Sequence, residues 1–159
     1  METHEQDHPE LNGGVDAPQL EWLGWVLEDA TLRGEKVVVF SHAPCYPAVT
    51  MDGYAVCWNH EAVCALLGRY PAVLLHLSGH DHEGALRAQW VGGSIGAASG
   101  DSSIAAPTRP PLYHLCLEAA LEGETGGAGC HGVLEVFADK LIVRGTGLVR
   151  DRYMQTGGF

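Results

Sequence analysis

Two apolar runs, VVVF over Val37–Phe40 and VLLHL over Val73–Leu77, each break off into histidines. The first leads into SHAP and places His42; the second leads into SGHDH and places His80 and His82. Runs this short, rich in β-branched residues and leucine, suit strands covered on both faces, as in a parallel sheet. Parallel neighbours need a long crossover. The intervening sequence supplies one: a loop with an Asp-Gly turn, then HEAVCALLGR, which reads as a helix from His60 to Arg69. Strand, loop, helix, strand is the order of a βαβ unit and predicts an α/β fold. Ligand groups in open α/β sheets gather at the carboxyl ends of the strands. Neighbouring strands would therefore bring His42 near His80 and His82.

The flanking segments extend this frame. Residues 1–14 show no hydrophobic periodicity and read as a flexible leader. Asp16, with Gln19 three positions on, forms a capping-box signature. The segment behind it puts Leu20, Leu23, Val26, Leu27 and Ala30 on one helical face and stops at Gly34. Residues 92–111 are rich in Gly, Ala, Ser and Pro and read as a mobile surface insertion. Tyr113 to Leu117 reads as a strand. Val133–Phe137 and Lys140–Arg144 read as a hairpin turning at Ala138-Asp139. The C-terminus is expected to be irregular, with residues 153–159 a tail, so that one domain spans residues 15–152.

A formal net charge of −11, with only 9 Lys+Arg, leaves no basic stripe for nucleic acid. An anionic small molecule stays compatible if a metal supplies positive charge. No apolar run is long enough to cross a bilayer, and the N-terminus lacks the basic and apolar regions of a secretory signal. The expectation is a cytoplasmic protein with neither membrane nor nucleic-acid partner. The 5 cysteines are odd in number and none is spaced C-x-x-C. They read as reduced thiols used as small core residues, not as disulfides or a thiolate zinc site.

Neutral imidazole is a ligand for Zn, Mn, Fe or Ni, and a His-x-His pair on a tight turn can aim both rings at one ion or at two adjacent ions. Gly79 eases the turn before the pair. Spacing alone thus points to a histidine metal site and names no substrate. His76, inside a strand, reads as a hydrogen-bonded core histidine, and His114 and Glu118 as strand residues. The four tryptophans read mainly as packing residues.

Strand-S-H-x-P followed by strand-x-G-H-x-H resembles the last two metal motifs of the calcineurin-like metallophosphoesterases. Six segments in order (NGGVDAPQLEWLGWVLEDA, EKVVVFSHAPCYP, CWNHEAV, LSGHDHEG, YHLCLEAALE and FADKLIVRGTGLVRDR) resemble the C-terminal part of that family's manganese-dependent ADP-ribose/CDP-alcohol diphosphatases. The resemblance implies the C-terminal half of an α/β/β/α sandwich with a mixed sheet. It implies His42 and His80 on one metal ion and His82 on a second. The ions would be divalent, with Mn foremost and Mg, Zn or Fe also suitable. It implies hydrolysis of nucleoside diphosphate-linked compounds of the ADP-ribose, CDP-choline or CDP-glycerol type by metal-activated water. Cys45, Tyr46 and Trp58 are the candidates to line the substrate pocket.

The family's D-x-H, G-D-x-x-D and G-N-H-D/E motifs, which supply the remaining ligands and the general-acid histidine, do not occur before His42. Asn59-His60-Glu61 falls after His42, out of order, and reads as a helix start with Asn59 as N-cap. The expectation is a chain that supplies only the C-terminal ligands, has no catalytic acid of its own, is inactive alone, and self-associates through an exposed half-sheet. The alternatives are a non-catalytic truncated remnant or metal-binding interaction module, and a mononuclear three-histidine zinc hydrolase.

Overall fold

The computed structural model describes residues 12–50, 55–81, 91–92, 112–118, 120 and 129–157. Helix α1 spans Ala17–Leu32 and opens on a complete capping box. Asp16 accepts from the Gln19 backbone at 2.8 Å, and Gln19 returns the bond to the Asp16 N–H at 3.3 Å. Asp16→Ala is expected to destabilise the chain by about 1 kcal/mol in urea denaturation, and Asp16→Ser by much less.

Strand β1 (Val37–Phe40), helix α2 (His60–Arg69) and strand β2 (Val73–Ser78) follow in the expected order, with a short 3-10 turn at Pro47–Val49. Then come β3 (Val91–Gly92), β4 (Tyr113–Cys116), β5 (His131–Val136), β6 (Lys140–Thr146) and β7 (Arg152–Gln155). The first sheet has the order β1-β2-β4-β3. Strands β1, β2 and β4 are parallel and β3 is antiparallel. The second is the antiparallel meander β5-β6-β7.

The two sheets pack face to face. Leu75, Leu77 and Leu115 of the first share a core with Leu141, Val143 and Met154 of the second. On the opposite face Leu27 of α1 and Val63, Cys64 and Leu67 of α2 cluster with Val73, Cys45 and Cys57. The described residues thus form an α/β/β stack, three layers of the expected sandwich.

Two expectations are corrected. Residues 152–155 form β7, so the tail does not begin at 153. Inward Arg152 and Met154 alternate with outward Tyr153 and Gln155, and a buried arginine masks the period-2 pattern. The turn into β7 relies on Gly147 at φ +71° and on Gly145, whose α-carbon lies too close to the Val149 backbone for any side chain. Asn59 precedes α2 but makes no side-chain cap. Its amide instead pairs with both backbone groups of Val15, at 3.1 and 2.6 Å, and pins the entry to α1.

Among the described residues, β1 is paired on one side only. Phe40 of β1 and Trp22, Trp25 and Leu32 of α1 stand 60–82% exposed. Val26, expected on the buried face of α1, is 40% exposed, whereas Leu27 and Ala30 are buried. No described helix is long and apolar enough to cross a membrane.

Candidate metal centre

The parallel pairing of β1 with β2 brings two of the expected ligands together. His42 Nε2 and His80 Nδ1 lie 3.2 Å apart, with ring centroids at 5.0 Å and an interplanar angle of 65°. The loops that carry them are joined directly, since the Gly79 N–H donates to the His42 carbonyl at 2.9 Å. His80 closes a three-residue turn, Asp81 N–H to Gly79 carbonyl at 2.9 Å, at φ +74°. A bulky residue pays about 1–3 kcal/mol for that conformation, and such strain concentrates at functional sites. His82 lies outside the described residues, as do residues 1–11 of the leader, 93–111 of the insertion and the last two residues.

Sequence reasoning missed one partner. Asn12 was placed with the leader, yet it is 8% exposed and its Oδ1 accepts from His80 Nε2 at 2.9 Å. This bond puts the His80 proton on Nε2 and turns the Nδ1 lone pair toward His42. It is the kind of outer hydrogen bond that orients a ligating imidazole. Two nitrogens 3.2 Å apart match neighbouring positions around an ion with metal–nitrogen bonds of about 2.1 Å, which requires roughly 3 Å. The pair therefore fits a divalent ion. The signal for Asn12 in sequence is its place at the head of NGGVDAPQLEWLGWVLEDA, the first of the six segments that carry the resemblance.

The remaining candidates separate. Cys45 is 1% exposed, its thiol set among His76, His114 and Cys64. Tyr46 stacks on buried His114 at 4.8 Å. Trp58 is 63% exposed and lies against Gly14, and its backbone N–H donates to the Gly13 carbonyl at 3.0 Å. A cleft of about 410 Å³ is lined by His42, His80 and Glu118. A larger one, about 790 Å³, runs from Asn12 and His42 between α1 and β1, with Trp22, Val26 and Cys45 on its walls.

Burial pushes the His76 imidazole down to about 4, and burial with His76 alongside pushes His114 down to about 3. Both values lie below the unfolded range near 6.5, so in the metal-free protein the unfolded chain binds more protons in acid. The stability from keeping the rings neutral is present above about pH 6.5 and is lost as the pH falls toward 4 and then 3. Denaturation of metal-free protein should show a loss of about 2 kcal/mol per histidine between pH 7 and pH 5. A His114→Phe variant should show a shallower fall.

No family model matches the chain. Over 144 residues, 91% of its length, it is 34% identical to the manganese-dependent ADP-ribose/CDP-alcohol diphosphatase of Oryza sativa subsp. japonica. It is 31% identical to the protein so named in Danio rerio over 92% of the chain, and 30% identical to that of Homo sapiens over 91%. The chain spans 36–39% of the length of these relatives. Among solved structures, a dimetal phosphatase from Danio rerio superposes with a TM-score of 0.66 at 28% identity. That match covers 89% of this chain and 38% of the other. The α/β architecture and the resemblance read from the six segments are both borne out.

Proposed function

We propose that this chain contributes His42, His80 and His82 to a two-metal hydrolase site acting on nucleoside diphosphate-linked small molecules, ADP-ribose or CDP-alcohols. The observation that carries the reading is the convergence of His42 Nε2 and His80 Nδ1 at 3.2 Å, with Asn12 fixing the His80 tautomer. The likeness to diphosphatases named manganese-dependent supplies the substrate class and the metal. Bound divalent ions would supply positive charge for the diphosphate oxygens and lower the pKa of an attacking water. His42 and His80 would hold one ion and His82 the other. Asn12 would keep the His80 lone pair directed inward, and the cleft beside Glu118 would admit the diphosphate. Cys45 and Tyr46 would act from beneath the pocket wall, and Trp58 is exposed enough to stack on a base.

The carboxylate and asparagine ligands and the general acid would come from residues beyond these 159. The exposed Trp22, Trp25 and Leu32 of α1 and Phe40 of β1, a strand paired on one side only among the described residues, support association with a second surface, another copy included.

The test is an initial-rate assay on ADP-ribose and a CDP-alcohol with Mn²⁺. It compares the 159 residues alone with the same residues extended by a relative's upstream region. Manganese-dependent turnover only in the extended protein supports the reading. Enzyme-like turnover by the 159 residues alone, or none in a folded extended protein, rejects it.

A further inference from the structure

Away from His42 and His80, four side chains from four parts of the chain meet between the first sheet and α2. Cys45 lies in the loop after β1, Cys64 in α2, His76 in the middle of β2 and His114 in β4. All four are at most 4% exposed. Cys45 Sγ lies 3.4 Å from Cys64 Sγ, 3.3 Å from His76 Nδ1 and 3.8 Å from His114 Nδ1. The two Nδ1 atoms are 3.4 Å apart. Donor atoms of Cys45, Cys64 and His114 all fall within 4.8 Å of one another. Around a tetrahedral zinc ion, bonds of about 2.3 Å to sulfur and 2.0–2.1 Å to nitrogen place sulfurs about 3.8 Å apart, nitrogens about 3.3 Å and mixed pairs about 3.5 Å. The three separations from Cys45 and the one between the two imidazoles sit within a few tenths of an ångström of these, while His76 stands outside the set of donors that all lie within 4.8 Å of one another.

We propose that Cys45, Cys64 and His114 form a buried structural zinc site separate from the His42–His80 centre, with His76, which adjoins Cys45 and His114, shifting in as the fourth donor.

Two further observations point to a ligand. The Ser41 hydroxyl donates to the Ala43 carbonyl at 2.6 Å, so toward His76 Nε2, 2.8 Å away, its oxygen accepts. His76 then carries its proton on Nε2 and turns the Nδ1 lone pair into the cluster, the outer hydrogen bond a metal-bound imidazole uses. His114 is 1% exposed, and its Nδ1 faces Cys45 Sγ at 3.8 Å and His76 Nδ1 at 3.4 Å. The Cys64 thiol donates to the Cys45 carbonyl at 2.7 Å, and the contacts between the sulfurs and the imidazoles are weak ones that a metal ion would replace. On binding, the two thiols release two protons; two thiolates and Zn²⁺ give a core of zero net charge, which suits a buried position. No local Cys spacing announces this site, because its donors are 12 to 69 residues apart, which is why the sequence read these cysteines only as core thiols.

The test uses Co²⁺ as the probe, added to the full chain under reducing conditions and in excess Mn²⁺. One equivalent should produce the sulfur-to-cobalt charge-transfer band and the intense visible bands of a tetrahedral thiolate site, and Zn²⁺ should bleach them. Cys64→Ser and His114→Gln should each weaken Co²⁺ binding at least about a hundredfold. His42→Ala should leave the spectrum unchanged, which separates this site from the manganese centre. So that the test does not depend on the cluster variants folding, the wild-type protein carries its own criterion: one equivalent of Zn²⁺ should raise its melting temperature further in saturating Mn²⁺. Folded wild-type protein with no charge-transfer band overturns the proposal. So does a band that survives Cys64→Ser, or a Cys45–Cys64 disulfide in protein isolated without zinc.

Discussion

Replacing Arg152 by alanine is expected to destabilise the chain by about 3–5 kcal/mol, measured by urea denaturation. Arg152 and Glu118 form an ion pair at 2.8 Å with side chains 5% and 1% exposed. Arg152 also donates to the Arg150 carbonyl at 2.7 Å, which holds the start of β7 in its turn. Removing the guanidinium leaves a buried carboxylate with one oxygen that has no hydrogen-bond partner among the described residues. The penalty is that of an unpaired buried charge, larger than the value of the pair itself. A double replacement, Arg152→Met with Glu118→Met, should therefore recover most of the loss. If Arg152→Ala costs under about 1 kcal/mol, the pair is not a desolvated one and β7 is held by Met154 and Leu141 instead.

The second large effect is a divergence between metal affinity and stability at His80. His80→Gly removes a proposed ligand while relieving the left-handed backbone at φ +74°. Manganese affinity should fall at least tenfold, and metal-free stability should rise by about 1 kcal/mol. His80→Ala should lose the affinity without the gain, because alanine meets the same steric penalty. A fall in stability for His80→Gly would mean that the bonds to Asn12 and His42 outweigh the strain.

What the sequence made legible was whatever is written locally. The Asp16–Gln19 box, the βαβ order and the β5–β6 hairpin all rest on spacing of a few residues, and the structure reproduces them. The meeting of His42 and His80 was legible because parallel neighbours align their carboxyl ends. Three features depended on distant partners and were not. Strand β7 is hidden by Arg152, an inward position that only Glu118 makes tolerable. Asn12 acquires its role from His80, 68 residues away. The exposure of Trp22 and Trp25 reverses their reading as packing residues, since side-chain type specifies a need for cover and not what provides it.

The account rests most heavily on His42 and His80 serving one ion. Electron paramagnetic resonance of free Mn²⁺ over the chain gives its affinity for the wild type, for His42→Ala, for His80→Ala and for the double variant. Two ligands of one ion act as a unit, so each single variant should lose nearly as much affinity as the double. Losses that add independently, or a wild-type affinity that neither substitution changes, would contradict a shared ion.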